Sequence, residues 1–297
     1  MENAKLKFSQ RHPLVFGVIM ILMAVALFLG ATALFRALGM GAGGSLFASD
    51  KLGIVHIRGV LTDSTDIVDW ITRLKENDSV KGVLLRVDCP GGAIAPSQEI
   101  YQAVRELDQV KPVVASYATV AASGGYYSTC PARIIVANPG SLTASIGVIA
   151  EFMTFGQTLE KLGVKPEVLT TGRYKGVGTP LRDLTSEQRD QLLGLIQDFH
   201  DQFVDDVAAA RDMKRDRVAA IADGRAVSGR QALALGLVDK LGGQTEAVRI
   251  LKQLCEIKGK VPVLEGPEEE EPLMQKILGS LGILPTSQYN GWNFSYK

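Results

Sequence analysis

A run of 22 residues without a charged side chain, residues 14–35, constrains this chain more than any other feature of its sequence. At about 1.5 Å per residue, a helix of that length measures ~33 Å, which is enough to cross a hydrocarbon core of about 30 Å. The apolar region of a cleaved signal peptide is usually shorter, about 7–15 residues. We therefore expect one uncleaved transmembrane anchor, with a cleaved signal peptide as the alternative.

Positive charges flank this apolar run unequally. Lys5, Lys7 and Arg11 precede it, whereas Arg36 follows it. Because basic residues stay on the cytoplasmic side of a membrane, this asymmetry predicts a cytoplasmic N-terminus and an exported C-terminal portion. The expected protein is a single-pass membrane protein in contact with the lipid bilayer.

Composition divides the chain into segments along its length. We expect a cytoplasmic N-terminus at 1–13, a transmembrane anchor at 14–36, a glycine-rich linker at 37–50 and a folded domain at 51–258. Residues 259–297 contain four consecutive glutamates and then leucines at helical spacing. This tail is predicted to be a solvated acidic linker followed by an amphipathic segment that docks on its own domain or on a neighbouring subunit. Binding of that segment to the bilayer surface is the alternative.

Short apolar runs alternate with helical patterns in the folded domain. Strands that are apolar throughout are buried on both faces, so the alternation predicts an α/β fold with parallel strand pairing. Helices dominate after residue 180, where Thr185 and Gln188 fit a capping box. Strands are expected at 53–58, 82–87, 112–117 and 134–137, and helices at 65–77, 96–107, 186–212, 228–235 and 245–254.

Composition also excludes several classes of function. The chain has 32 Lys and Arg and 32 Asp and Glu, so it offers no basic field for nucleic acid. Cys89, Cys130 and Cys255 are scattered without a metal-ligand spacing, so we expect no metal site and three buried thiols. A disulfide between two of these cysteines is the alternative. The GxxxxGK[ST] phosphate loop is absent from the sequence, so we expect no ATP-coupled chemistry and no cofactor.

Two glycine-rich patches carry groups suited to acyl transfer. Ser123 precedes Gly124 and Gly125, where a starting helix would direct free N–H groups and its positive dipole end at the serine oxygen. Such donors stabilise the oxyanion of a tetrahedral intermediate. Gly92, in a Pro-Gly-Gly turn predicted to follow the second strand, would supply a second N–H donor. The alternatives are a serine that caps a helix and an ordinary turn.

A general base for Ser123 is harder to find. His12 lies on the cytoplasmic side of the anchor, and His56 and His200 fall in a strand and a helix, where we expect structural or solvent-facing roles. Lys175 lies between glycines, without an acid nearby in sequence. A lysine with an ordinary pKa of about 10.4 needs a shift of roughly 3 units to be half-neutral at pH 7. Lys175 is therefore a candidate base, and a plain surface lysine is the alternative.

Together the motifs of this domain resemble signal peptide peptidase A, a family of membrane-bound Ser/Lys peptidases. The resemblance runs from about residue 52 to 255 and includes the anchor. It is carried by Val-Asp-Cys-Pro-Gly-Gly at 87–92, Ala-Ala-Ser-Gly-Gly-Tyr-Tyr at 121–127, Thr-Ala-Ser-Ile-Gly-Val at 143–148, Gly-Arg-Tyr-Lys at 172–175, and Gly-Arg-Ala-Val-Ser-Gly-Arg-Gln-Ala from 224 with Gly-Leu-Val-Asp at 236–239.

The resemblance implies a fold and a set of site residues. The expected fold is a Clp protease/crotonase-like α/β domain of repeated β-β-α units with C-terminal helices. Ser123 would be the nucleophile and Lys175 the general base. Ser145 would orient the lysine, and Gly92 and Gly124 would donate to the oxyanion.

The resemblance also implies an activity. This is an ATP-independent serine endopeptidase that degrades cleaved signal peptides and short apolar or unfolded segments. Relatives form a homo-octamer in which serine and lysine come from adjacent subunits. Two alternatives stay open, namely a crotonase-type acyl-CoA enzyme that uses glutamates and a catalytically inactive membrane scaffold. Two departures from the family pattern are Cys89, where serine is common, and the glycine-rich segment 176–180.

Overall fold

A computed structural model describes residues 13–37 and 50–267 of the 297-residue chain. The described residues belong to two units, an N-terminal helix and an α/β domain, and each is considered by itself. Predictions made for residues 1–12, 38–49 and 268–297 lie outside the described residues. These include most of the cytoplasmic N-terminus, the glycine-rich linker, and the acidic and amphipathic parts of the tail.

The N-terminal unit contains one long apolar helix, α1 (Pro13–Ala37). Its stretch Leu14–Thr32 is long and apolar enough to cross a membrane. The prediction of one apolar helix at this position is therefore confirmed. A membrane anchor and a signal sequence both fit this helix, so the choice between them rests on the sequence arguments above.

The α/β domain is built on one sheet of eight strands in the order β6-β5-β3-β2-β1-β8, with β4 pairing β3 and β7. All pairs are parallel except β5 with β6. The strands are β1 (Lys51–Leu61), β2 (Val80–Gly92), β3 (Val113–Ala122), β4 (Ile134–Ala137), β5 (Leu142–Ala144), β6 (Ala226–Ser228), β7 (Lys240–Leu241) and β8 (Val263–Gly266).

Helices cover both faces of this sheet. On one face, buried side chains of α2, α3, α4 and α6 join a large hydrophobic cluster. On the other face, Ala247, Ile250 and Leu251 of α9 pack in a smaller cluster with strand residues such as Leu84. This explains why the central strands are largely apolar. The helices are α2 (Thr65–Glu76), α3 (Ile94–Val110), α4 (Gly124–Thr129), α5 (Gly156–Lys161), α6 (Ser186–Ala210), α7 (Arg215–Ala219), α8 (Gly229–Leu235) and α9 (Gln244–Leu254).

The Pro-Gly-Gly segment differs from its prediction, because it continues a strand rather than forming a turn. Gly91 pairs with Val60 and Gly92 with Leu61 of β1, after irregularities that shift the register of both strands. Gly91 takes φ 116°, a conformation that favours glycine, and this lets the backbone continue beyond Pro90. The prediction of a turn was wrong, but the continued strand still carries Gly92 to the Ser123 end of the sheet.

Local capping signals in the late helices are confirmed. The Thr185 hydroxyl accepts from the Gln188 backbone N–H at 3.2 Å, and the Gln188 side chain accepts from the Thr185 N–H, also at 3.2 Å. This capping box begins α6 one residue after Thr185.

The three cysteines are free thiols, two of them buried and Cys255 partly so. Burial raises the pKa of Cys89 to about 11.

The helix that follows Ser123 is anchored by the hydroxyl group of Tyr126. Tyr126 is fully buried on α4 and donates to the Leu237 carbonyl oxygen at 2.9 Å. Its ring makes an edge contact with Tyr117 of β3, with 6.4 Å between ring centroids. Tyr126 therefore joins the serine-bearing turn to the chain just before β7.

We predict that Tyr126→Phe lowers the free energy of unfolding by about 1–2 kcal/mol, because the buried Leu237 carbonyl loses its donor while the ring keeps its packing. Chemical denaturation of the full chain measures this change. Tyr174→Phe is the matched control, since the Tyr174 side chain is exposed and should change stability by less than about 0.5 kcal/mol. Equal effects of the two substitutions would contradict the anchoring role.

Candidate active site

Ser123 occupies a strained turn between β3 and α4. Its φ of 51° and ψ of −124° lie outside the regions that non-glycine residues ordinarily adopt. Backbone hydrogen bonds hold it there, because its N–H donates to the Ala144 carbonyl at 2.8 Å and its carbonyl accepts from the Tyr127 N–H at 2.8 Å. Within the described part of the chain, its hydroxyl makes no capping bond to α4. The alternative of a simple helix cap is therefore not supported.

The backbone of β2 approaches this turn closely from one side. A Cβ atom built on Gly91 would lie 2.9 Å from both the Gly124 nitrogen and the Ser123 Cβ atom. A Cβ built on Gly124 would lie 3.2 Å from the Gly92 nitrogen and closer still to the Ser97 hydroxyl. Side chains at these positions would fill the space, so glycine is needed here. The N–H groups of Gly92 and Gly124 consequently lie near one another, beside the serine.

Ser145 approaches from the opposite side through a second strained segment. Ala144 and Ser145 both have positive φ values, 62° and 52°. The Ser145 hydroxyl donates to the Gly224 carbonyl at 3.2 Å, and its N–H donates to the Arg225 carbonyl at 3.1 Å. Because the same segment accepts the Ser123 N–H at Ala144, Ser145 and Ser123 are fixed relative to each other.

These residues line one cavity of about 680 Å³. Its wall contains Ser123, Gly92, Gly124 and Ser145 together with apolar and aromatic side chains. Those side chains belong to Ile94, Tyr127, Val148, Ile149, Phe199 and Phe203. A cavity that combines apolar side chains with a few converging polar groups is typical of a ligand-binding or active site.

Lys175 is not part of the wall of this cavity. It is exposed on the segment between α5 and α6, and its backbone N–H donates to the Gly172 carbonyl at 3.4 Å. Among the described residues, it does not belong to the set that lines the Ser123 cavity. The structure therefore brings together four of the five predicted site residues, and a single chain leaves Lys175 apart.

His200 belongs to the cavity wall, which the sequence did not indicate. Its Nε2 lies 2.8 Å from the Ala222 carbonyl oxygen, so this nitrogen carries the proton and donates to it. Its Nδ1 is buried and has no hydrogen-bond partner among the described residues. Neither nitrogen forms a hydrogen bond with Ser123 among the described residues. A sequence feature that could have indicated it is the neighbourhood of His200 on α6, because Phe199 and Phe203 of the same helix also line the cavity.

A hydrogen bond between Tyr127 and Asp206 ties α4 to α6 behind the cavity. The Tyr127 hydroxyl donates to the Asp206 carboxylate, and burial together with this bond raises the pKa of Tyr127 well above its usual value. Its ring packs against Phe203 with 4.7 Å between centroids. These contacts make the α6 wall of the cavity continuous with the serine-bearing turn.

Comparison with known proteins identifies the family. Residues 105–258 match the description "Peptidase family S49". A Synechocystis sp. protein named "Putative protease slr0021" is 35% identical over 241 residues, which cover 81% of this chain and 87% of that protein. "Serine protease SPPA, chloroplastic" of Arabidopsis thaliana is 34% identical over 217 residues, covering 73% of this chain and 32% of that protein.

A third relative is similar over most of the same region. The "Putative signal peptide peptidase SppA" of Enterococcus faecium is 35% identical over 220 residues, which cover 69% of this chain and 64% of that protein. The chain belongs to peptidase family S49, as an SppA-type serine protease. The resemblance inferred from the motifs is thereby confirmed.

We predict that Gly124→Ala lowers kcat/KM for peptide hydrolysis by about 10²–10³-fold, because the added methyl group meets Ser97, Gly92 and Gly91 and displaces the expected oxyanion donor. Steady-state hydrolysis and a thermal melt measure the two effects separately. Gly140→Ala is the control, since a Cβ there meets nothing within 4 Å. A folded Gly124→Ala protein with more than a tenth of wild-type activity would contradict this assignment.

Proposed function

We propose that this chain is a membrane-anchored, ATP-independent serine endopeptidase in which Ser123 is the nucleophile and Lys175 the general base. The observation that carries the proposal is the Ser123 turn. Its hydroxyl is free of capping, lines an apolar cavity and lies beside the N–H groups of Gly92 and Gly124. This arrangement matches what acyl transfer requires of a nucleophile and its oxyanion donors.

The proposed reaction proceeds through an acyl-enzyme. Lys175 in its neutral form takes the proton from the Ser123 hydroxyl as the oxygen attacks the scissile carbonyl carbon. The N–H groups of Gly92 and Gly124 donate to the resulting oxyanion. Lys175 then gives its proton to the departing amine, and the C–N bond breaks. Water repeats the sequence on the ester, which releases the acid product and restores Ser123.

Two features of the site favour lysine over histidine as the base. The Nε2–H of His200 is bonded to the Ala222 carbonyl, and its Nδ1 is buried. Ser145 offers a lone pair for a lysine, because its own proton is donated to the Gly224 carbonyl. A neutral lysine that donates one N–H to Ser145 would keep its lone pair for the proton of Ser123.

Assembly is proposed to bring Lys175 of one subunit to Ser123 of the next, in an octamer such as the resemblance implies. Two observations support this. Lys175 lies outside the cavity of its own chain, and the segment around it exposes large apolar side chains. The exposed fractions reach 88% for Ile149, 75% for Met153 and 89% for Leu169. Large apolar side chains exposed on one chain segment are the kind of surface that a subunit interface covers.

The proposed location is the outer face of the bacterial cytoplasmic membrane, with α1 as an uncleaved anchor. The proposed substrates are cleaved signal peptides and short apolar or unfolded segments. The apolar cavity and the name of the Enterococcus relative support this choice.

The proposed fold in detail is the Clp protease/crotonase type, with which the parallel sheet and its flanking helices agree.

The acyl-CoA alternative has little support in the site. A crotonase-type reaction would need glutamates at the reacting centre, and no glutamate lines the cavity among the described residues. The inactive-scaffold alternative is disfavoured because the Ser123 turn keeps a strained conformation and close glycine contacts that serve no evident structural need.

A mixing experiment tests both the dyad and its division between subunits. Ser123→Ala and Lys175→Ala should each reduce peptidase activity to background when expressed alone. When they are co-expressed, some interfaces combine an intact Ser123 with an intact Lys175, so part of the activity should return, below one half of wild type. Lys175→Arg should be as inactive as Lys175→Ala, because a guanidinium stays protonated.

Co-purification of differently tagged subunits is the control for mixing. Mixed oligomers without activity would contradict the shared site while leaving both residues essential. A single mutant that keeps a tenth or more of wild-type activity would contradict the role of that residue. Far-UV circular dichroism of each variant confirms that a loss of activity is not a loss of fold.

A further inference from the structure

One carboxylate stands in the wall of the Ser123 cavity. The titratable side chains among the described residues that line this cavity are Tyr127, His200 and Asp223. Asp223 is the carboxylate of this set. A nearby negative charge favours the protonated form of an amine, which cannot act as a base. Asp223 therefore opposes the chemistry proposed for this site unless its charge is compensated.

Arg225 forms a close ion pair with this carboxylate. Its Nε atom donates to Oδ1 at 2.8 Å and to Oδ2 at 2.7 Å of Asp223, and one of its terminal nitrogens also contacts Oδ2. Its backbone N–H donates to Oδ1 at 3.1 Å. Bonding to Arg225 holds the pKa of Asp223 below its usual value, so the carboxylate is ionised and paired.

The turn that carries this pair is fastened to the active-site backbone. The Gly224 N–H donates to the Ile146 carbonyl at 3.0 Å, and the Arg225 carbonyl accepts from the Ser145 N–H at 3.1 Å. The Gly224 carbonyl also accepts the Ser145 hydroxyl. The turn that carries the ion pair therefore lies next to Ser145, the residue that is proposed to hold the lysine.

We propose that Arg225 is a positioning residue whose guanidinium neutralises Asp223 at the rim of the Ser123 cavity and so keeps the catalytic base free of an opposing negative charge. The inference rests on the proposed function, because it concerns the protonation of Lys175. The other titratable groups that line the cavity are His200 on α6 and Tyr127 on α4. The segment 144–147 that packs against the turn contributes no charged side chain.

The pH dependence of kcat/KM tests this inference in the full-length protein, with an uncharged fluorogenic peptide as substrate. Arg225→Ala leaves Asp223 unpaired, so more base is protonated at a given pH. The value of kcat/KM should rise with pH as Lys175 loses its proton, and the midpoint of that rise should move upward by up to about 0.5 pH unit, because solvent screens the partly exposed charge of Asp223. Asp223→Asn leaves Arg225 unpaired and should move the midpoint downward. The double variant Arg225→Ala/Asp223→Asn should have a midpoint close to that of the wild-type protein.

Matched variants separate charge from structure. Arg225→Lys keeps the positive charge and should keep the wild-type midpoint. Arg249→Ala removes an arginine from the exposed pair with Glu246, remote from the cavity wall, and should not move the midpoint. The upward shift of Arg225→Ala should persist in a His200→Gln background.

Three results would overturn the inference. These are an unchanged midpoint in Arg225→Ala, an upward shift in Asp223→Asn, and a shift that disappears with His200→Gln. Each differs from failure of the proposed function, in which Ser123→Ala or Lys175→Ala retains activity. The inference can thus fail while the Ser/Lys assignment stands.

Discussion

The rest of the site depends on the backbone of Ser123, which is held in a conformation that a serine rarely adopts. Such a conformation costs on the order of 1–3 kcal/mol and persists only where surrounding contacts fix it. Here the neighbouring strand segment accepts the serine N–H at Ala144, and the first turn of α4 donates to its carbonyl through Tyr127. The strain leaves the hydroxyl without a capping role and directs it to a cavity.

From this turn the contacts extend outward through the fold. Tyr126 fixes α4 to the segment before β7, and Tyr127 fixes it to α6 through Asp206. The bulged end of β2 brings Gly92 beside the turn, and residues 144–146 bring Ser145 and the Asp223–Arg225 pair. The parallel sheet thus places three separate chain segments at the end of β3, where one strand alone would expose the serine to solvent.

The sequence predicted the long elements well, because their signals are local. Apolar runs marked β1 to β4, and the capping box at Thr185 marked the start of α6. The short strands β5 to β8 were missed, since they lack the continuous apolar run that even the four-residue strand β4 has, and they pair only because the rest of the sheet is present. The Pro-Gly-Gly segment was interpreted as a turn, because its composition is that of a turn and its pairing with β1 is a tertiary effect.

The residues of the candidate site also differ in whether a local sequence pattern could predict them. Ser123, Gly92 and Gly124 were identified from their immediate neighbours in sequence, and Ser145 from the family resemblance alone. The cavity positions of His200 and Asp223 and the pairing of Arg225 with Asp223 were missed, because they arise only from the packing of α6 and of the turn before β6. The surroundings of Lys175 stay a prediction, since its side chain is exposed and forms no hydrogen bond or ion pair among the described residues.

A structure of the assembled protein with a peptide aldehyde tests the central claim most directly. The aldehyde carbon should be bonded to the Ser123 oxygen as a hemiacetal, with its own oxygen facing the N–H groups of Gly92 and Gly124. Lys175 of an adjacent subunit should lie within about 3.2 Å of the Ser123 oxygen and of the Ser145 hydroxyl. A covalent bond to another residue, or a Ser123 oxygen without any lysine nearby, would contradict the account.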